Sequence, residues 1–254
     1  MSRIVSIANQ KGGVGKTTTA VNFGASLATA ERTVLLVDLD PQANATSGLG
    51  VGGADIAAST YEVLIGAVTA DAAITATALD FLDVLPASRD LAGAEIELVD
   101  TENREARLRE ALAPIRDRYE YIIIDCPPSL GILTLNALCA ADAVVVPLQC
   151  EYYALEGLSR LIETIEILRE RLNPRLEIDG ILLTMYDARN NLSEQVAREV
   201  RQNFDGRVFE TVIPRNVRLS ESPSFGKPAL LYDVRSKGTQ RYLDFAREYL
   251  EIWR

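Results

Sequence analysis

Histidine is absent from this 254-residue chain, and cysteine is scarce. Without an imidazole, any catalysis must use carboxylates, lysines, backbone amides or a bound metal. The three cysteines, Cys126, Cys139 and Cys150, are widely spaced and form no Cys-x-x-Cys pair. This spacing argues against disulfides and a cysteine metal site, and it favours a reducing cytoplasm.

Long apolar runs are also lacking. None approaches the ~20 residues that span a bilayer. Met1-Ser2-Arg3 leads directly into the first predicted strand, so we expect no signal peptide. A chain of this length with 48% apolar residues can form one large α/β domain or two small ones.

Charge is unevenly distributed along the sequence. The net charge is −10, which by itself argues against a nucleic-acid partner. Residues 185–254, however, carry 12 basic and 10 acidic side chains, whereas the rest of the chain is strongly acidic. The last quarter is therefore the side better suited to meet a polyanion, although scattered surface charge is an equally simple explanation.

The strongest signal is the glycine-rich stretch at residues 11–18, Lys-Gly-Gly-Val-Gly-Lys-Thr-Thr. It follows the apolar run at residues 4–8 and precedes a helix-like segment. Its glycines let successive N–H groups point at one anion, and a helix beginning near Lys16 adds free N–H donors and the positive end of its dipole. The pattern predicts a phosphate-binding loop in which Lys16 reaches the β- and γ-phosphates and Thr17 ligates Mg²⁺.

Two other apolar runs end on aspartates. Residues 33–38 lead into Asp38-Leu39-Asp40, and residues 121–124 lead into Asp125. Carboxyl ends of parallel strands share one edge of an α/β sheet, where ligands bind, so we expect these carboxylates beside the phosphate loop. For residues 38–42, a plain strand-terminating turn is the alternative.

The remaining pattern alternates strands with helices. We predict helices at residues 60–66, 102–118, 155–172, 192–203 and 240–253, strands at 81–86, 143–147, 176–184 and 208–212, and loops at 48–53 and 220–228. This alternation predicts an α/β fold with a doubly wound, mostly parallel sheet flanked by helices, in a single domain at residues 1–254.

The loop departs from the usual G-x-x-x-x-G-K-[ST] pattern, because Gln10 stands at the first glycine position and a second lysine, Lys11, follows it. It resembles the deviant Walker A loop of the ParA/MinD P-loop ATPases, relatives of the nitrogenase iron protein. Residues 38–42 resemble the switch I of that family, and residues 126–130 resemble its switch II. With residues 184–189 and 213–218, these motifs occur in the order seen in ParA proteins, most closely the short chromosomal type often called Soj.

The resemblance implies roles for individual residues. Catalysis would use Lys16, Asp40 near the attacking water, and Lys11, which would reach the nucleotide of a partner subunit. Thr17, Asp40 and Asp125 would surround the metal. ATP would contact Lys11, Gly12, Gly13, Val14, Gly15, Lys16, Thr17 and Thr18, with Met185, Pro214 and Asn216 at the adenine base. Arg189 and Arg218 match arginines that bind DNA without sequence preference.

By the same resemblance, the protein would be an Mg²⁺-ATP-dependent dimerising switch for chromosome or plasmid segregation. It would work in the cytoplasm on the nucleoid, bind double-stranded DNA as a homodimer, and hydrolyse ATP slowly until a ParB-type partner stimulates it. The phosphate loop begins at Lys11, which leaves no room before it for an N-terminal helix-turn-helix domain.

Related functions provide the alternatives. Unpaired cysteines argue against a shared Fe–S cluster, and dispersed tyrosines argue against a protein kinase with this loop. The segment at residues 241–254 mixes acids with bases, so stable membrane association of the MinD type is not expected. A MinD-like ATPase, or a metabolic enzyme resembling dethiobiotin synthetase, remains the alternative.

Overall fold

A computed structural model of the protein describes residues 2–53, 56–151, 154–204 and 208–253. Within these ranges an eight-stranded sheet runs in the order β3-β4-β2-β5-β1-β6-β7-β8. All neighbouring strands are parallel except the short antiparallel pair β3 and β4. The strands are β1 (Arg3–Ile7), β2 (Val34–Asp38), β3 (Thr75–Ala76), β4 (Leu82–Leu85), β5 (Tyr121–Asp125), β6 (Ala143–Gln149), β7 (Glu177–Tyr186) and β8 (Val208–Pro214).

Helices connect the strands and cover the sheet. They are α1 (Lys16–Thr29), α2 (Asn44–Gly48), α3 (Thr60–Leu64), α4 (Ala70–Ala73), α5 (Leu91–Glu97), α6 (Arg107–Leu112), α7 (Ile132–Ala140), α8 (Ala154–Arg171), α9 (Asn191–Asn203), α10 (Val217–Glu221), α11 (Ala229–Tyr232) and α12 (Lys237–Ile252). The doubly wound α/β fold is therefore confirmed. No helix in the described ranges is both long and apolar enough to cross a bilayer.

The central strands β2 and β5 are apolar up to their terminal aspartates, and both of their faces are buried. In β5, Ile122 and Ile124 pack into one core, whereas Tyr121 and Ile123 pack into the other. The first core lies beneath helices that include α7, α8 and α9, and the second lies beneath α1 and α12. Alternate residues of one strand thus serve two cores, which is why these strands lack a polar alternation.

An aromatic cluster joins the C-terminal helix to the rest of the second core. Phe245 of α12 is fully buried. Its ring centroid lies 4.7 Å from that of Phe23 in α1 and 4.9 Å from that of Phe209 in β8. Tyr249, one turn further along α12, lies edge-on to Phe23 at 5.0 Å. The last helix is therefore a packed part of the core.

The structure corrects two predictions of local structure and adds short elements that were not predicted. The single helix predicted at residues 102–118 is instead α6 between 3-10 turns at Arg104–Ala106 and Ala113–Arg118. Pro114 cannot donate an α-helical hydrogen bond and lies in the second turn. The segment at residues 66–80 contains α4 and β3, and α5 follows at residues 91–97. The predicted loop at 220–228 contains the end of α10 and a 3-10 turn. These elements are too short to produce a clear hydrophobic period.

The buried aromatic cluster generates a stability prediction. Phe245→Ala should lower the free energy of unfolding by about 3–5 kcal/mol, because it removes a fully buried ring and leaves a cavity. Phe225, whose side chain is 61% exposed, provides the matched control. Phe225→Ala should change stability by about 1 kcal/mol or less. Urea denaturation followed by circular dichroism measures both, and equal losses would contradict the role assigned to the cluster.

Candidate functional site

The glycine-rich loop follows β1 and ends at the first residue of α1. Gly13 and Gly15 have φ values of 75° and 87°, a region that a residue with a Cβ adopts only under strain. Gly15 stands at the N-cap of α1 without a side-chain cap. Together these features leave the first N–H groups of the 14-residue helix available to an anion.

Neighbouring strands hold the loop in place. The hydroxyl of Thr184, in β7, donates to the carbonyl of Val14 at 2.8 Å. Asn9 donates through Nδ2 to the carbonyl of Pro147 in β6 at 2.8 Å, and its Oδ1 accepts from the backbone N–H of Lys11 at 3.0 Å. These contacts fix the loop to two adjacent strands, so its conformation does not depend on the glycines alone.

Lys16 extends back over the loop. Its side chain is buried, and Nζ donates to the carbonyl oxygen of Lys11 at 3.1 Å. Burial lowers the pKa of the Lys16 ammonium, and the negative charge of Asp125 opposes part of this shift. The ammonium therefore lies between the loop and the carboxylates that follow β2 and β5.

Asp38 and Asp125 are opposite each other at the ends of β2 and β5. Both are fully buried. Asp38 accepts hydrogen bonds from the backbone N–H and the hydroxyl of Thr46 at 2.8 and 2.7 Å. Burial raises the pKa of Asp38 to about 6, although the hydrogen bonds from Thr46 oppose this rise. Asp40, two residues later, is 8% exposed and accepts from the backbone N–H of Gln42 at 2.9 Å.

Asp125 differs from the other carboxylates because neither of its oxygens has a hydrogen-bond partner among the described residues. Burial raises its pKa well above the ordinary value, and the charge of Asp38 raises it further. The hydroxyl of Thr17 and the ammonium of Lys16 oppose part of this rise. A buried carboxylate in this condition is stabilised by a nearby cation or by water.

The carboxyl oxygens of Asp40 and Asp125 and the hydroxyl of Thr17 are hard ligands of the kind that Mg²⁺ prefers. No group of three or more His, Cys, Asp or Glu side chains within the described ranges could hold a metal by itself. A magnesium ion here would therefore complete its coordination with phosphate oxygens and water, as Mg²⁺ does when it binds with a nucleotide. The residues present fit that kind of ion.

A cavity of about 330 Å³ adjoins the loop on the side of β7 and β8. The three residues predicted at the adenine base, Met185, Pro214 and Asn216, all line it, together with Gly15 and Thr18. Its volume is at the lower end of the roughly 300–1,000 Å³ typical of ligand pockets. The structure thus brings the predicted base and phosphate residues to one continuous site.

Lys11 is placed differently from Lys16. Its Nζ forms an ion pair with Glu151 at 2.6 Å, and the two side chains are 40% and 48% exposed. Glu151 follows β6 and was not among the residues that we selected from the sequence. The amine of Lys11 therefore lies at the surface of its own chain.

The two predicted DNA-binding arginines lie after neighbouring strands on the same edge of the sheet. The side chain of Arg189 is 91% exposed and pairs with Asp187 at 3.0 Å. Arg218 is half exposed and pairs with Glu221 at 2.8 Å and Asp233 at 3.3 Å. Each guanidinium is thus partly neutralised by carboxylates of its own chain.

Asp38 was expected at this edge of the sheet because it ends an apolar strand, but its complete burial was not predicted. Four other residues that shape this site were given no role from the sequence: Asn9, Thr46, Glu151 and Thr184. Thr46 and Thr184 gave no signal, because their hydroxyls are placed only by the packing of elements distant in sequence.

This fold and site define a P-loop nucleoside triphosphatase with a second lysine in its loop. A family model described as an AAA domain matches residues 2–178. The chain is 59% identical over 251 residues to the chromosome partitioning protein ParA of Myxococcus xanthus (strain DK1622), covering 99% of this chain and 89% of the relative. It is 58% identical over 248 residues to the sporulation initiation inhibitor protein Soj of Bacillus subtilis (strain 168), covering 98% of each.

A solved structure with the same fold is also similar in sequence. It is described as cobyrinic acid a,c-diamide synthase from Mycobacterium smegmatis with bound ADP and magnesium, and it is 42% identical with a TM-score of 0.87. The match covers 100% of this chain and 96% of that one. On its identity to these two relatives, the chain belongs to the ParA/Soj family of chromosome-partitioning P-loop ATPases.

The unpartnered carboxylate at Asp125 generates a second stability prediction. Asp125→Asn should raise the free energy of unfolding at pH 7.5 by about 1–3 kcal/mol, measured by urea denaturation in EDTA without nucleotide, because an amide avoids burying a charge. A folded-state pKa raised above the unfolded one makes wild-type stability fall as pH rises from about 4 through the folded pKa.

The gain should therefore shrink as the pH falls through 4, because the aspartate becomes increasingly protonated in both states. Asp244→Asn, at a surface carboxylate paired with Arg241 and Arg247, is the matched control. It should change stability by about 0.5 kcal/mol or less at either pH. A loss of stability for Asp125→Asn at pH 7.5 would contradict the prediction.

Proposed function

We propose that this protein is an Mg²⁺-ATP-dependent dimerising switch for chromosome or plasmid segregation. The observation that carries the proposal is the position of Lys11, which belongs to the phosphate loop while its amine lies at the protein surface. One lysine, Lys16, suffices for the nucleotide of the same chain. A second one at the surface is suited to a nucleotide held by another subunit.

In this proposal the backbone of residues 12–18 binds the phosphates, and Lys16 contacts the β- and γ-phosphates. Thr17, Asp40 and Asp125 would hold Mg²⁺ directly or through water, and the ion supplies neutralisation of phosphate charge. Asp40 would orient the attacking water and accept its proton. Met185, Pro214 and Asn216 would bind the adenine base in the adjoining cavity.

Dimerisation requires the Lys11–Glu151 pair to separate so that Lys11 can reach across the interface. Exposed ion pairs contribute only about 0–1 kcal/mol, so this exchange has a small cost. The triphosphate offers a denser negative charge than one carboxylate. The charge of Lys11 thereby makes closure of two subunits dependent on ATP rather than ADP.

DNA binding would follow from dimerisation. Arg189 and Arg218 would exchange their exposed carboxylate partners for DNA phosphates, which is again a low-cost exchange. One subunit offers few such contacts, whereas a dimer doubles them, so binding becomes nucleotide-dependent by avidity. A ParB-type partner would then stimulate hydrolysis and release the protein from the nucleoid.

The dimer can be tested by gel filtration with Mg²⁺-ATP. Asp40→Ala should slow hydrolysis and accumulate the dimer, and the double variant Asp40→Ala/Lys11→Ala should remain monomeric while still binding ATP. Glu151→Ala, in the Asp40→Ala background, controls for loss of the surface ion pair and should still dimerise. If Asp40→Ala with ATP remains monomeric and does not bind DNA, the proposal of a dimerising switch is wrong.

DNA binding can be tested by co-sedimentation with ATP, with ADP and without nucleotide at two salt concentrations. Only the protein with ATP should sediment with DNA, and higher salt should strongly weaken its binding to DNA. The logarithm of the DNA-binding constant falls as the logarithm of the salt concentration rises. Arg189→Ala should make this slope shallower by roughly 2, because a dimer loses two phosphate contacts. Arg241→Ala, a paired surface arginine on α12, is the control and should leave the slope unchanged.

A metabolic P-loop enzyme is the second candidate, and the name of the Mycobacterium smegmatis relative favours it. The two candidates differ in turnover. Steady ATP consumption that depends on a small acceptor, without DNA or a protein activator, would support the enzyme. A basal ATPase that rises only with DNA and a partner protein would support segregation.

A further inference from the structure

A hollow of about 1180 Å³ lies at the edge of the sheet opposite the phosphate loop. Arg3, Tyr121 and Glu177, the first residues of β1, β5 and β7, line it, and Trp253 closes it at the end of α12. β1 is five residues long. At about 3.3 Å per residue, the hollow is roughly 16 Å from the nucleotide site along the strand, so it is a separate site.

Arginines dominate the charge of this hollow, in a protein whose net charge is −10. Its ionisable lining residues are Arg3, Arg32, Arg116, Arg169 and Arg175, with Glu120, Asp142, Glu177 and Tyr121. Most of the carboxylates are neutralised: Arg32 pairs with Glu120 at 3.0 Å, and Arg116 pairs with Asp142 at 2.6 Å. The charge of the lining residues that have no ion-pair partner therefore determines which ligands the hollow can bind.

Arg169, in the last turn of α8, and Arg175, in the turn before β7, form no ion pair with any described residue. Glu177 is the one lining carboxylate without an ion pair in the same ranges. Arg3 is already occupied by Asp179 at 2.5 Å. The unpaired charge is therefore positive, and it comes from two guanidinium groups that bind phosphate oxygens through paired N–H donors.

Two hydrogen-bond donors in the same lining also lack partners. The Oγ of Ser2 and the Nε1 of Trp253 are buried atoms with no hydrogen bond among the described residues. The indole N–H can only donate, so a buried one without an acceptor is unfavourable. The guanidinium of Arg3 lies 3.7 Å from the centroid of the Trp253 ring and fixes the indole in place. Both atoms are buried, so a ligand in the hollow reaches them only when the two side chains turn toward it, and an acceptor-rich ligand would then satisfy both donors.

From these features we propose that the hollow binds a compact oligophosphate, either free or as the phosphate chain of a nucleotide. Two unpaired guanidinium groups lie on the end of α8 and the turn before β7, and two unpaired donors lie at residues 2 and 253. Together they match several phosphate oxygens, and a concave site admits a short polyanion more readily than an extended duplex. The proposal does not depend on the dimer switch.

The test is calorimetric titration of inorganic tripolyphosphate, in excess Mg²⁺, into the full chain saturated with a fluorescent ADP analogue. We expect one equivalent to bind while the fluorescence of the analogue stays unchanged, because the phosphate loop remains occupied. Arg169→Ala/Arg175→Ala should weaken binding by about tenfold or more, since charged hydrogen bonds are lost. Trp253→Phe, which keeps an aromatic ring but removes the donor, should weaken it severalfold.

Arg171→Ala is the matched control, because Arg171 has the same charge at the end of α8 but does not line the hollow. This variant should bind tripolyphosphate with the same affinity as the wild type. A parallel titration with GTP distinguishes the sources: tighter binding than tripolyphosphate indicates a nucleotide, and equal binding indicates the phosphate chain alone.

Several outcomes would overturn the proposal: no heat of binding, heat that coincides with release of the ADP analogue, or equal affinity in the double arginine variant. Binding of duplex DNA or anionic vesicles that needs Arg169 and Arg175, without binding of tripolyphosphate, would assign the hollow to another ligand. The analogue reports on the phosphate loop independently, so failure here would not affect the proposed switch.

Discussion

The nucleotide site depends on a buried carboxylate that its own chain leaves without a hydrogen-bond partner. Asp125 is fully buried at the end of the central strand β5, and no described side chain or backbone group donates to it. Such an arrangement persists only where packing elsewhere compensates, and in this protein the two apolar cores on either side of the sheet provide that compensation. The unfavourable charge is thus retained at the one edge where a cation can relieve it.

The same edge combines opposite demands. The uncapped start of α1 and the buried ammonium of Lys16 favour an anion, whereas Asp38, Asp40 and Asp125 favour a cation. The two sets balance each other only in part, since Lys16 donates to a backbone carbonyl rather than to a carboxylate. A ligand that carries both signs, a nucleoside phosphate with its metal, satisfies both demands at once. This explains why nucleotide and metal sites adjoin in such folds.

Ion pairs at the surface behave differently from these buried groups. Lys11, Arg189 and Arg218 each have a carboxylate partner, and every one of these pairs is largely exposed to water. Pairs of this kind are weak and exchange readily for another anion. The buried groups therefore determine which ligand the site binds, whereas the exposed ion pairs can exchange their carboxylates for other anions. The hollow at the other edge of the sheet combines both kinds of group.

The sequence alone determined the fold class of this protein and the location of its nucleotide site. Continuous apolar strands, the glycine turn and the aspartates at strand ends determined the α/β class and the edge that carries the site, because these signals depend only on local period and on parallel topology. The short elements α4, β3 and α5 were not predicted, since segments of two to seven residues carry no clear hydrophobic period.

Tertiary structure decided everything that depends on contacts between distant residues. The burial that raises the pKa of Asp38, the pairing of Lys11 with Glu151, and the hydroxyl of Thr184 on the phosphate loop all arise from residues far apart in the chain. So does the meeting of Ser2 and Trp253 at an arginine-lined hollow. Charge and hydrogen bonding depend on distance in space, and only the packed fold sets those distances.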